Sequence, residues 1–299
     1  MRILLTGASG FIGTPVLEKL ISEDHQILAL SRSIGPKKKK NLFWHKCNLS
    51  LQDSYSKEVE VFLPEVLIHL AWQDIPNFSL ETCKANLVQS LTLISFIVDL
   101  NSCKKIIVSG SCFEFNQLQG ECLEDSVSEV YDHFTWAKNS LYLWLIMMSK
   151  NRRFHLLWLR MFYVYGPRQR SGSLIPSILE NLNRGMLPEI NTPRSAHDFI
   201  FIDDVASAFL KAISVKNDVI NYNLGSGSSS SILEVCRISE QIVLGTSSLT
   251  EEIIIRSKDK NCDINFWAEI SNAKKYLDWN PKTSLEDGIK KTWDLMKLK

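Results

Sequence analysis

No stretch of the 299-residue chain reaches the roughly 18 uninterrupted apolar residues that a membrane-spanning helix requires. A charge bias is missing too. Lys and Arg number 34 against 33 Asp and Glu, so no overall field selects nucleic acid or an anionic membrane. The seven cysteines, at 47, 83, 103, 112, 122, 236 and 262, form no C-x-x-C pair. That argues against a disulfide frame or a zinc site and for reduced thiols in a cytoplasm. His25, His45, His133 and His155 lack ligand spacing, and no metal is assigned. Internal repeats are absent, and residues 1–6 run into glycine too soon to read as a secretory leader. Apolar residues at 45% and a net charge of +1 exclude wholesale disorder.

The first two thirds of the chain alternate short apolar runs with longer amphipathic stretches, the rhythm of βα units around a parallel sheet. Buried strands are predicted at 2–6, 26–31, 66–71, 105–109 and 155–160, with helices at 14–21, 80–101 and 135–151. Right-handed crossovers make this a doubly wound α/β sheet with helices on both faces. Beyond Tyr165-Gly166-Pro167 the rhythm loosens, and Gly225-Ser226-Gly227 opens a serine-rich, flexible-looking loop. The expected division is a domain at 1–167, with 195–221 returning to it, and a smaller mixed α/β lobe at 168–299 on the sheet's carboxyl edge. The basic run at 37–40 reads as a solvated turn.

The first strand leads directly into Gly7-Ala8-Ser9-Gly10-Phe11-Ile12-Gly13 and then a helix. Glycines there permit a tight turn and let the backbone approach a pyrophosphate, while the helix amino-terminus presents free N–H groups to the anion. A glycine trio alone is a weak signal, and the strand–turn–helix context strengthens it. The second strand ends in Ser31-Arg32, without the acid that usually holds an NAD ribose, so the pair points to the 2′-phosphate of NADP.

Dispersed motifs in the right order resemble the extended short-chain dehydrogenase/reductase family of nucleotide-sugar epimerases, dehydratases and reductases. They are the glycine turn, His69-Leu70-Ala71, Ser109-Gly110-Ser111-Cys112-Phe113-Glu114-Phe115, Leu159-Arg160-Met161-Phe162-Tyr163-Val164-Tyr165-Gly166-Pro167, Asp198-Phe199-Ile200-Phe201-Ile202-Asp203-Asp204-Val205, Asn223-Leu224-Gly225-Ser226-Gly227 and Leu277-Asp278-Trp279-Asn280-Pro281. The resemblance implies a Rossmann-type fold and hydride transfer between nicotinamide C4 and a sugar carbon. In the family a tyrosine exchanges the proton on the sugar oxygen. A lysine four residues later lowers that tyrosine's pKa and binds the nicotinamide ribose, and a serine or threonine bonds the same oxygen; the i, i+4 spacing puts Tyr and Lys on one helix face.

Ser111 matches the family serine and Lys138 the lysine, but the tyrosine position holds Phe134. Three accounts stay open. The intact neighbouring motifs favour a deliberate Tyr→Phe change made to trap a ligand. Alternatively Tyr131, or a water held by Ser111, supplies the proton. The last account is a binder of cofactor or nucleotide sugar that turns nothing over.

Dehydratases of the family carry an Asp-Glu pair directly after the Ser/Thr, where this chain has Cys112 and Phe113; alternation along a strand would turn Glu114 to the other side. GDP-fucose synthases carry a cysteine and a histidine where Phe113 and Ser173 stand. C4 epimerases of the UDP-galactose type retain NAD and keep the acid after the second strand. With those set aside, the resemblance implies NADPH-dependent reduction of a nucleotide-linked 4-keto-6-deoxy sugar, with a C4 epimerase or a non-catalytic binding protein as alternatives. It further implies that Gly7, Ser9, Gly10, Phe11, Ile12, Gly13, Ser31, Arg32, Leu70, Ala71, Lys138 and Tyr163 hold the cofactor, with Asn48 and Leu49 against the adenine. Trp72, Cys112, Phe113, Arg168, Arg194 and Asn223 are expected to face the sugar nucleotide. The wide apolar surfaces of helices 80–101 and 135–151 predict a homodimer.

Overall fold

Strands buried on both faces read as solid apolar runs rather than alternating ones, and the first strands of this chain do so. The computed structural model describes residues 1–299 apart from 34, 36–38, 118, 127–129, 153, 247, 251, 253–263 and 299. Lys37 and Lys38 of the basic run, and Cys262, lie outside the described residues. In chain order the strands are β1 (Arg2–Thr6), β2 (Gln26–Ser31), β3 (Leu42–Lys46), β4 (Val66–His69), β5 (Lys105–Ser111), β6 (Gln119–Cys122), β7 (His155–Met161), β8 (Tyr163–Tyr165), β9 (Ala196–His197), β10 (Phe199–Phe201), β11 (Asn221–Leu224), β12 (Ser230–Ser231) and β13 (Asn265–Ala268). The helices are α1 (Gly13–Ser22), α2 (Ser56–Phe62), α3 (Leu80–Asp99), α4 (His133–Arg152), α5 (Leu174–Asn183), α6 (Ile202–Ala212), α7 (Ile232–Leu244), α8 (Ser271–Tyr276) and α9 (Leu285–Met296).

The described residues form a seven-stranded sheet in the order β11-β7-β5-β4-β1-β2-β3, parallel throughout. Alternation assigns its faces. Ile3 and Leu5 point to one side, where Val16 and Leu20 of α1 and Val205 and Phe209 of α6 cover them. Leu4 points to the other, under Ile94 and Ile97 of α3 and Leu141 and Leu145 of α4. After β3 the chain crosses over β1 to lay down β4, so the strand order reverses between β1 and β4. Ligands of such sheets bind outside the carboxyl ends at that switch point.

Several predicted boundaries move, by one residue at α1, β7 and the end of α4 and by up to two elsewhere. The strand expected at 66–71 stops at His69, because the Leu70 and Ala71 amides donate to Thr6 Oγ1, each at 3.2 Å, instead of continuing the ladder. The strand at 105–109 runs on to Ser111. Helix α3 ends at Asp99, just before Asn101 in a left-handed conformation with φ 57°. Helix α4 begins at His133, where the Asp132 carboxylate accepts the Thr135 amide at 2.7 Å and caps the first turn.

The smaller lobe has a mixed sheet in the order β12-β9-β13-β6 and a β8–β10 pair, with α5, α7 and α9 packed around Leu179, Val235 and Ile289. The chain interleaves the two parts. Strand β6, from within 1–167, pairs in the smaller sheet, whereas β11, beyond residue 220, closes the edge of the large one. The serine-rich segment after β11 is tied down. The Asp198 carboxylate, fully buried, accepts the amides of Ser226 at 2.5 Å, Gly227 at 3.0 Å and Ala268 at 3.1 Å. Burial raises its pKa, and these donors oppose that rise.

Asp198→Ala would strand one buried donor, at Ala268, and two part-buried ones, at Ser226 and Gly227, and should lower the unfolding free energy by about 2–3 kcal/mol. A shifted urea midpoint measures this, and Asp198→Asn, which keeps one acceptor, should fall between the two.

Candidate active site

At the switch point the glycine turn closes on itself. Gly7 has φ +69°, a Cβ there would stand 2.9 Å from the Ala71 amide nitrogen, and the Gly10 amide donates to the Gly7 carbonyl at 2.9 Å. A Cβ on Gly13 would collide with the Gly7 carbonyl, so helix and turn meet only through glycine. Helix α1 then starts with no side-chain cap and no acid in its first turn, which leaves its N–H groups and dipole directed at an incoming anion. Beneath the turn, Thr6 Oγ1 lies 2.9 Å from His69 Nδ1, and His69 Nε2 lies 3.0 Å from Ser90 Oγ. Burial, and then the Lys138 charge, push the His69 pKa down to about 3, which keeps the ring neutral and structural.

An outer cavity of about 150 Å³ opens beside this turn, lined by Gly7, Ser9, Gly10, Ser31, Arg32, Leu49, Leu70, Ala71 and Trp72 among others. Ser9 and Ser31 share a hydrogen bond of 2.7 Å, and Arg32 is exposed at the rim. No Asp or Glu is among the described residues lining it. Asn48 is exposed and spends its Oδ1 on the Ser50 amide at 3.1 Å; Leu49 rather than Asn48 faces the cavity.

Leu70 and Trp72 also border an inner cavity of about 370 Å³, which gathers Phe11, Ile12, Ser111, Cys112, Phe113, Phe134, Lys138 and Tyr163. Strand β5 ends at Ser111, and a single 3₁₀ turn over Cys112–Phe115 follows. Strand alternation therefore does not govern Glu114, and the expectation that it turns aside along a strand is corrected. Its carboxylate folds back to accept the Ser111 amide at 2.8 Å, while Ser111 Oγ accepts the Phe113 amide at 3.3 Å. Below the turn Glu114 also receives Arg160 Nε at 3.1 Å and Trp158 Nε1 at 3.0 Å, all three side chains being buried.

Lys138 Nζ donates to the Ser109 carbonyl at 2.8 Å and sits 4.0 Å from the centre of the Trp72 ring. Burial lowers its pKa to about 8, with the Glu114 charge holding it up. Phe134 is buried among Trp72, Phe78 and Phe113, with ring centres at 5.6, 4.7 and 6.3 Å. Tyr163 reaches the same cavity from β8, stacked on His197 at 4.3 Å. Tyr131 is exposed ahead of α4 and outside both linings.

Three expected substrate contacts are not brought here. Arg168 is exposed at φ +67°, with Nη1 4.0 Å from Glu18, and lines a separate cavity with Arg184. Arg194 is exposed and borders neither cavity. Asn223 is fully buried, its Nδ2 donating to the carbonyls of Cys122 at 2.9 Å and Glu269 at 3.0 Å. Gln169 and Arg170, which sequence reasoning passed over, line the inner cavity instead. Arg170 Nη1 donates to the Ile75 carbonyl at 3.1 Å. The left-handed turn at Arg168 decides which arginine faces inward, and no residue type announces it.

The sequence profile of the NAD dependent epimerase/dehydratase family matches residues 3–225. The chain belongs to this family. Its relatives include the CDP-abequose synthase of Salmonella muenchen, 26% identical over 97% of this chain and 96% of that protein. Another is the dTDP-4-dehydro-6-deoxyglucose reductase of Escherichia coli, 23% identical over 97% and 95%. Among solved structures, the UDP-glucose 4-epimerase of Thermotoga maritima with UDP-glucose superposes with a TM-score of 0.87 at 23% identity, covering 100% of this chain and 99% of that one; the likeness is one of fold. As an extended short-chain dehydrogenase/reductase, the protein is an oxidoreductase-type enzyme. Among the described residues no helix is long and apolar enough to cross a membrane.

For this epimerase/dehydratase-family protein, Glu114→Gln should leave Arg160 without its buried counter-charge and cost about 3–5 kcal/mol. The same change removes the charge that holds Lys138 up, so its titration, followed by NMR of labelled lysine, should move below about 8.

Proposed function

We propose that the protein reduces a nucleotide-linked 4-keto-6-deoxy sugar to the 4-hydroxy sugar at the expense of NADPH. The observation that carries this reading is the absence of a carboxylate among the described residues lining either cavity. In the outer cavity Ser31 and Arg32 stand where an acid would select NAD, and their chemistry suits a 2′-phosphate. In the inner one Cys112 and Phe113 leave no acid–base pair to expel a C6 hydroxyl, while Glu114 is occupied by Arg160 and Trp158. The Gly7 cradle and the uncapped α1 terminus fit a dinucleotide pyrophosphate. When bound, the nicotinamide supplies a hydride. In this reading Lys138 holds the nicotinamide ribose, Ser111 Oγ donates to the sugar carbonyl oxygen, and Trp72 and Phe113 wall the sugar from water. The large sheet carries the cofactor and the smaller lobe the nucleotide.

A C4 epimerase is the second reading, favoured by the superposition on a UDP-glucose 4-epimerase. The two diverge in cofactor bookkeeping. A reductase consumes NADPH mole for mole with sugar, an epimerase interconverts sugars without net consumption, and a binding protein does neither. Nicotinamide absorbance with a panel of nucleotide-linked 4-keto-6-deoxy sugars separates them, and loss of NADPH absorbance in step with alcohol formation is the expected result. Arg32→Glu should lower kcat/KM with NADPH relative to NADH by about tenfold to a hundredfold, the worth of one or two charge-assisted hydrogen bonds.

We further propose a homodimer through α3 and α4, which pack on one another and leave Leu80, Val88, Leu143 and Met147 exposed. Light scattering at micromolar concentration should give twice the chain mass, and Leu143→Glu with Met147→Glu should return the monomer. The six described cysteines are free and buried, in keeping with a cytoplasmic setting.

A further inference from the structure

The family's proton donor would stand at residue 134, and a phenyl ring there has none to give. Three other aromatic rings hold Phe134 at 4.7–6.3 Å, so neither rotation nor a shift of α4 exposes a different group at that place. A reductase of this chemistry needs another source, and the inner cavity restricts the choice. Among the described residues lining it, Cys112, Lys138, Tyr163 and Arg170 are the ones with a titratable or charged group.

Each competitor is committed elsewhere or unsuited. Cys112 is packed into the apolar core beside Phe115 and Phe162; burial pushes its thiol and the Tyr163 hydroxyl up alike, so the packing and not the titration separates the two. Lys138 directs its ammonium at the Ser109 carbonyl and the Trp72 face. Arg170 is engaged by Ile75 and Ser173 and does not release protons near neutrality. Tyr131, named from sequence, does not border the cavity.

Tyr163 differs from all of these. Its ring stacks on His197 at 4.3 Å with 26° between planes, and meets the rings of Phe113, Phe199 and Phe266 at 6.2, 5.9 and 6.1 Å. Four neighbours thus fix the ring, whereas its hydroxyl hydrogen-bonds no described residue. Phe113 is the common wall: Tyr163 and Phe134 both meet it edge-on, at 6.2 and 6.3 Å. The free phenol and the missing one are therefore both next to the ring that follows Ser111 by two residues.

We propose that Tyr163 is the catalytic acid that replaces the hydroxyl absent at Phe134. This rests on the reductase reading. As the sugar C4 carbon accepts hydride from the reduced nicotinamide and a C–H bond forms, the carbonyl π pair moves to oxygen. That oxygen takes the Tyr163 Oη proton, Ser111 Oγ donates a hydrogen bond to it, and the phenolate recovers a proton from water. The ketone is reduced and the nicotinamide oxidised by the same two electrons.

The test compares the chain with Tyr163→Phe, Phe134→Tyr and the double variant. Two readouts are taken: NADPH oxidation with the 4-keto sugar panel, and NADPH affinity by fluorescence titration, which reports folding and cofactor binding without turnover. Tyr163→Phe should lose about 10²–10⁴-fold in kcat while still binding NADPH, its ring and any ring contact with the cofactor being kept, and Phe134→Tyr in that background should restore turnover. A wall residue would not be rescued by a hydroxyl on another element, so loss without rescue overturns the proposal. So does Tyr163→Phe within about tenfold of the parent. A parent that is inert while Phe134→Tyr turns over overturns it too and leaves the reductase reading standing. If neither consumes NADPH although both bind it, the reductase reading itself falls and the proposal with it.

Discussion

Glu114 and Arg160 meet out of contact with water, and the geometry of the candidate site hangs on that meeting. An ion pair in such a place seldom repays its desolvation, and an apolar pair of the same volume would often be more stable. What it supplies is position. One carboxylate fixes the Ser111 amide above it and the Trp158 and Arg160 side chains beneath it, so the turn holding Ser111 to Phe113 is bolted to β7. The bolt continues outward. Arg160 Nη1 donates to the Glu124 carbonyl at 3.0 Å, and the Glu124 carboxylate in turn accepts the amides of Asn223 and Asn272, at 2.8 and 2.5 Å. Burial raises the Glu124 pKa to about 8 against those two donors. Active-site turn, sheet edge and α8 thus share one polar thread through the interior.

The parallel core was legible because β1, β2 and β4 sit under helices on both faces and read as solid apolar runs. Strand β3, at the sheet edge with only Leu42 fully buried, carries Trp44, His45 and Lys46 and offers no such signature. The glycine turn could be read from its strand–turn–helix context, and the family resemblance singled out Ser111, Phe134 and Lys138, which line one cavity. Glu114 does turn away from the cavity, but for another reason than strand alternation, since the backbone leaves the strand after Ser111 and a 3₁₀ turn carries the carboxylate back onto Trp158 and Arg160. Arg168 and Asn223 were misplaced for a related reason. Which of several polar residues faces a cavity depends on a single left-handed residue, or on how a strand edge is covered, and neither leaves a mark in composition.

The aromatic character of the inner cavity has its own logic. Trp72, Phe78, Phe113, Phe134 and Tyr163 surround a lysine whose ammonium lies over an indole face, an arrangement in which low polarity and a positive charge coexist. In surroundings of such low polarity the Lys138 charge acts more strongly on a nearby polar group than it would in water. Such a chamber is poorly suited to reactions needing two ionised carboxylates in view of the substrate.

The exchange of β6 and β11 between the two sheets limits how the molecule can breathe. Enzymes whose lobes are joined by one or two free strands of chain can swing apart on a hinge. Here the chain passes between the two sheets several times, so any swing has to bend several connections at once, one of them beside the turn that presents Ser111. A joint made of several strands of chain is stiffer than one made of a single linker, because each added connection removes a direction in which the two parts can turn.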